Sequence, residues 1–232
     1  MPVDVPAKLD QIQRNSAETV VIRCALTFDQ VRDLAEALKD NTALLELNLG
    51  GADIGDDGMK HLLNLWDQEK WERERAAAKA KEKEEGEIVR EKDKEKAEQE
   101  KFKMAIEQIT TLELYRNNLG ISGAEALAKA FSWGAMPALR QLFLSNNQMG
   151  DEGAQALATA FAGGAVKQLH MLDLYCNRIG DVGVEALTIA CADGALPVLQ
   201  KIMLDYKCIT PSIKEDLENA LADTSGAKVL WG

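Results

Sequence analysis

Two histidines, four cysteines and a recurring set of carboxylates are the first places to look for chemistry in this 232-residue chain. His61 and His170 could bind a metal or move a proton, but neither has a Cys, His or carboxylate at ligand spacing. Cys24, Cys176, Cys191 and Cys208 form no CxxC pair, so reduced thiols in a cytosol-like compartment are expected. Cys191 stands where a sister segment has Phe, and a buried thiol there acts as a small hydrophobe. The acidic runs Asp56-Asp57, Asp151-Glu152 and Asp181 sit between paired glycines, where a carboxylate accepts from the free N–H groups of a helix start. A nucleophile with its base is not visible, and neither is a phosphate-cradling glycine loop. No catalytic, cofactor-binding or metal-binding residue is assigned, and the chain reads as a non-enzyme.

The spacing of these residues leads to the elements that hold them. LELYRNNLG from Leu112, LFLSNNQMG from Leu142 and LDLYCNRIG from Leu172 align without a gap at thirty-residue steps. Asn117, Asn147 and Asn177 share that step, as do Leu127, Leu157, Leu187 and Leu217. Another copy begins at Ile202, with Lys207 in the asparagine slot, and LNLGGADIG from Leu47 puts Ala52 there. A weaker copy covers Val21 to Leu38, with Cys24 in the slot, which brings the units to six. Within each unit, Leu-x-Leu alternation predicts a short strand, and apolar residues at helical spacing follow the glycines. Leu62, Leu65 and Trp66 illustrate that helical spacing, and so do Leu157, Ala160 and Phe161. One unit cannot bury both its strand and its helix stripe, so neighbours must stack. The Asn column then lies beneath the strands, where its amides meet main-chain groups left without partners.

The pattern L-x-L-x-x-N-x-L-G-x-x-G-x-x-x-L-A-x-A-F resembles the leucine-rich repeats of the ribonuclease inhibitor-like type. Similar repeats occur in Ran GTPase-activating proteins and nucleotide-binding immune receptors. That resemblance implies an α/β leucine-rich-repeat horseshoe solenoid, with parallel strands on the concave face and helices on the convex face. It also implies that the chain binds other proteins. The predicted organisation is an N-terminal cap over 1–16, repeats one and two over 17–66, repeats three to six over 108–222, and a C-terminal cap over 223–232. The last residues, ADTSGAKVLWG, read as a final strand or a cap.

Leu49 and Leu114 are 65 residues apart instead of 30, so the second unit carries an insertion. Its 41 residues, 67–107, include 14 acidic and 12 basic side chains, with Ala, Lys, Glu and Arg prominent. All four favour helix. Both ends must rejoin one array, which predicts a charged helical hairpin turning at Gly86.

With the leucines facing the core, the alternate side chains face the concavity. The candidate partner-binding residues are Glu46, Asn48, Glu113, Tyr115, Phe143, Ser145, Asp173, Tyr175, Met203 and Asp205. Aromatics and Met among carboxylates suit an interface anchor and favour a partner with a basic segment. The composition is 46% hydrophobic and 28% charged, with a net charge of −11. That excess argues against a phosphate-reading nucleic-acid binder. No apolar run approaches the roughly 20 residues of a membrane span, and the amino end MPVDVPAK lacks a secretory layout. The expected role is a cytoplasmic scaffold, a subunit of a larger assembly such as a cytoskeletal or axonemal (ciliary) complex. The alternatives are a GTPase activator resembling the Ran activators, or an enzyme inhibitor or sensor.

Overall fold

A computed structural model of the chain describes residues 4–39, 41, 43–64 and 108–232. The expected insertion with its turn at Gly86 lies outside the described residues, as do Leu65 and Trp66. The described chain opens with α1 (Val5–Gln13) and then alternates. Its strands are β1 (Thr19–Val21), β2 (Glu46–Asn48), β3 (Thr111–Glu113), β4 (Gln141–Phe143), β5 (Met171–Asp173), β6 (Lys201–Leu204) and β7 (Lys228–Trp231). The helices between them are α2 (Phe28–Lys39), α3 (Gly55–Asn64), α4 (Ile121–Ser132), α5 (Gly150–Ala162), α6 (Asp181–Ala192) and α7 (Pro211–Thr224). Seven strands make one parallel sheet in chain order.

The register follows the thirty-residue step. Val20, Leu47, Leu112, Leu142, Leu172, Ile202 and Val229 pair rung to rung along the whole sheet. Leu114, Leu144 and Leu174 form the next core row, all buried. Burying each such leucine stabilises the fold by about 1.5–3 kcal/mol. In the first unit the core positions are Val20 and Ile22, so Val21 turns to the other face and the strand register stands one residue later than Cys24 in the asparagine slot implies. The tail supplies a true seventh strand.

The strands are short because the chain leaves them through left-handed residues. Arg116, Asn118, Asn146, Cys176 and Arg178 all have φ between 54° and 59°. Backbone groups freed by that turn need partners, and the Asn column supplies them. Asn147 Oδ1 accepts from Asn117 N at 2.9 Å and Leu119 N at 3.1 Å. Its Nδ2 donates to Leu114 O at 2.9 Å and Leu144 O at 2.7 Å. Asn117 repeats this toward Ile54 N and Leu49 O. Asn177 donates likewise to Leu144 O and Leu174 O, but its Oδ1 is buried without a partner.

The carboxylates of the helix starts act across the unit boundary and not on their own helix, which corrects the local reading. Asp56 Oδ1 accepts from Gly120 N at 2.7 Å and Gly123 N at 2.9 Å, at the start of α4. Asp151 Oδ1 does the same for Gly180 N and Gly183 N, and Asp181 Oδ1 accepts from Thr210 N. Phe28 and Ile121 occupy that column in the first and third units, and Pro211 in the last. The helices that follow them start at Gly55 and Gly150, with φ of +64° and +63°. There the glycine N–H turns instead to the next unit's Asn117 O or Asn177 O, 2.9 Å away. Glycine takes that conformation at no steric cost.

Close helix packing completes the core. A Cβ on Gly153 would sit 2.7 Å from Met149 Cβ and 3.0 Å from Ala124 Cβ, so only glycine lets α5 lie this near α4. Phe131 and Phe161 are fully buried, their ring centroids 6.5 Å apart. At the amino end, α1 buries Val5 and Ile12, and Asn41 Nδ2 donates to Ile12 O.

Candidate functional site

Strand alternation leaves the concave side of the sheet free of any covering element among the described residues. Its side chains fall into columns set by the register. One column runs Thr19, Glu46, Thr111, Gln141, Met171, Lys201 and Lys228. The next runs Val21, Asn48, Glu113, Phe143, Asp173, Met203 and Leu230. Two residues further on come Arg23, Gly50, Tyr115, Ser145, Tyr175 and Asp205. Glu46 therefore stands beside Thr111 and Gln141, one column away from the Glu113 and Phe143 with which the sequence grouping placed it. A shift of two residues keeps a side chain on the same face, so hydrophobic alternation could not expose that offset.

Exposure differs from the expectation at two positions. Asn48 is 4% exposed and Asp173 is 8% exposed. Each turns back on its own strand: Asn48 Oδ1 accepts from Gly50 N, and Asp173 Oδ1 accepts from Tyr175 N, both at 3.0 Å. Asn48 Nδ2 also donates to Glu113 Oε2 at 2.5 Å, while Thr19 Oγ1 donates to Glu46 Oε2 at 3.0 Å. Glu113, Tyr115, Phe143, Ser145, Tyr175, Met203 and Asp205 are half-buried, and Glu46 is exposed.

The two tyrosines lean apart. The ring end of Tyr115 fills the space that a side chain on Gly50 would take, with Cζ 2.1 Å from that position. Tyr175 reaches the other way, its Cε2 2.8 Å from the Cβ position of Gly232. Between them Ser145 and Phe143 of β4 are left as a floor.

The charge pattern is mixed, not uniformly acidic. Glu46, Glu113, Asp173 and Asp205 share the face with Arg23, Lys201 and Lys228, because the columns extend one step to either side of the residues picked from sequence. Reading the alternation one residue before each Leu-x-Leu finds Met171 and Lys201. Burial raises the Glu113 carboxyl above its ordinary range, the Arg23 charge opposes this and Glu46 adds to it.

Other chemistry-bearing residues do not assemble. The His61 ring packs 5.0 Å from Phe28, and His170 Nδ1 lies 2.6 Å from Gln168 O. Burial pushes the Cys191 thiol up to about 11. Among the described residues no group of three or more His, Cys, Asp or Glu is placed to hold a metal. No described helix is long and apolar enough to cross a membrane. Two clefts lie on the helix side: one between α3 and α4, lined by Lys60, Glu125, Lys129 and Trp133, and one between α5 and α6, lined mainly by alanines and Ile189.

Residues 40–63, 136–158 and 169–187 match the family model for leucine-rich repeats. No curated protein matches the chain. Among solved structures it is similar to leiomodin-1 actin-binding site 2 at 14% identity and a TM-score of 0.50, covering 96% of this chain and 90% of that one. It is also similar to the tropomodulin C-terminal domain of Caenorhabditis elegans at 10% identity and a TM-score of 0.47, covering 94% of this chain and 92% of that one. The repeat match and the single open sheet in chain order make the fold an α/β leucine-rich-repeat solenoid.

Proposed function

We propose that this leucine-rich-repeat chain is a non-catalytic protein-interaction scaffold, of the ribonuclease inhibitor-like subtype, whose concave face receives a protein partner through a basic segment. The observation that carries the reading is the patch Glu113, Phe143, Asp173, Tyr115, Ser145 and Tyr175, a half-apolar, acid-flanked surface on a sheet face that no described element covers. Half-buried aromatics supply contact area at small entropic cost, and carboxylates around them select a cationic partner. The subtype rests on the thirty-residue strand–helix unit and its Asn column. The charged segment 67–107 is proposed as a second docking element on its composition alone.

A cytoskeletal assembly is the setting we propose, with actin as the first candidate. The leiomodin-1 domain of the same fold is an actin-binding site. At 14% identity that likeness carries the fold, and the partner must be tested directly.

A photo-crosslinking amino acid at Ser145 should capture partner protein, whereas the same group at exposed Glu185 on the convex side should not. Equal capture at both positions would refute the concave-face reading. Co-sedimentation with filamentous actin decides that candidate separately, and repeating the crosslinking with 67–107 deleted tests the second docking element.

A further inference from the structure

We infer that the patch centred on β4 is a receptor for one arginine side chain of the partner, an assignment that rests on the concave-face reading above and adds the identity of its anchor. Register places Glu113 directly beside Phe143 and Phe143 directly beside Asp173, giving carboxylate, aromatic ring and carboxylate on three successive strands. The next row repeats the symmetry with Tyr115, Ser145 and Tyr175, the two rings leaning away from β4 toward Gly50 and Gly232. Ser145 is therefore open between them.

The strands that carry the two carboxylates, β3 and β5, are two spacings apart, about 9.6 Å, and Glu113 holds Asn48 of β2 with one oxygen. A planar guanidinium resting on the Phe143 ring can offer one edge to each, with its stem along Ser145 between the tyrosines. Guanidinium is weakly hydrated, stacks on aromatic faces and donates in two directions. An ammonium is a compact, strongly hydrated charge that satisfies one carboxylate at a time, so arginine is preferred over lysine.

Asp173 is the second, independent pointer. It is 8% exposed on a face that no described element covers, and among the described residues its carboxylate takes one hydrogen bond, from Tyr175 N to Oδ1. Glu113 keeps Oε2 on Asn48, and among the described residues its Oε1 takes no hydrogen bond. Neither carboxylate forms an ion pair among the described residues. Burial disfavours the charge on Glu113, and a bound cation would relieve that cost.

The test titrates N-acetyl-arginine methylamide into the full-length chain, with the lysine and citrulline analogues as controls, while amide and aromatic NMR signals are followed. Saturable shifts confined to residues of β3 to β5 and the row through Ser145 are expected with arginine. Lysine should bind more weakly, by a factor of roughly three to ten, and citrulline should leave the spectrum unchanged. Asp173→Asn keeps the acceptor for Tyr175 N and Phe143→Leu keeps an apolar floor, so both should fold. Each should weaken arginine binding by about tenfold. Equal response to citrulline, shifts scattered over the surface, no response, or unaltered binding by both variants would overturn the assignment. Capture at Ser145 without an arginine response rejects the anchor and leaves the concave-face reading intact. An arginine response without capture does the reverse.

Discussion

Units three to five and the last unit share one strand–helix layout and differ where a helix meets its successor. In α4 and α5 the columns that face the next helix hold Ala124 and Ala128, then Ala154 and Ala158, all buried. In α6 they hold Val184 and Thr188, and in α7 they hold Lys214 and Glu218. Lys214 Nζ lies over the Tyr206 ring, 3.2 Å from its centroid, and 5.6 Å from that of Trp231. Glu218 Oε1 accepts from Trp231 Nε1 at 2.7 Å. Small apolar side chains let another helix pack closely, whereas Lys214 and Glu218 are engaged by Tyr206 and Trp231. The same architecture thus presents a close-packed seam or a polar helix face through two positions per helix.

The strongest way to break this contrast is in the core. Phe161→Ala should cost about 3–5 kcal/mol in urea unfolding, whereas Tyr206→Ala in the last unit should cost less than about 1 kcal/mol. Comparable losses would mean that the inner and terminal units are packed alike. Next comes the asparagine column. Asn147→Ala strands two N–H donors and at least two carbonyls, an expected loss of about 1–3 kcal/mol, against roughly 0.5 kcal/mol or less for Lys207→Ala in the same column. Asn177→Ala should fall below Asn147→Ala, since its Oδ1 is idle; the reverse order would contradict the ladder. Smaller still is the cross-unit cap. Asp151→Ala should lose about 1 kcal/mol through two freed N–H groups, and Asp181→Ala about half of that through one. The smallest change in stability, within about 1 kcal/mol, is expected from Lys214→Ala with Glu218→Ala. That variant rebuilds an alanine seam at the end of the array, so sedimentation should reveal concentration-dependent self-association. A strictly monomeric variant would show that the polar pair does not terminate stacking.

Much of the architecture could be read from the residues because repetition multiplies a weak signal. A single Leu-x-Leu is ambiguous, but Leu112, Leu142 and Leu172 at one step leave only one way to stack. The Asn column was identifiable for the same reason, and its bonding to the preceding unit is the reason the column exists. The direction in which the Asp56, Asp151 and Asp181 carboxylates act was not readable. Each lies beside its own helix start in sequence, yet the nearest free N–H groups belong to the following unit. Alternation selects a face of the sheet, but it does not say where a column begins or which side chains on it turn inward, as Asn48 and Asp173 do. Glu46 was therefore grouped one column off, and Lys201, Lys228 and Met171 were missed.

Period and composition, which are local along the chain, already specify the strand–helix unit, its stacking and the exclusion of polar side chains other than asparagine from beneath the sheet. Burial, cross-strand neighbours and the lean of side chains depend on groups thirty or more residues away. For that reason the inward turn of Asn48 and Asp173, the splay of Tyr115 and Tyr175, and the meeting of Glu113, Phe143 and Asp173 on adjacent strands emerged only once the chain was folded.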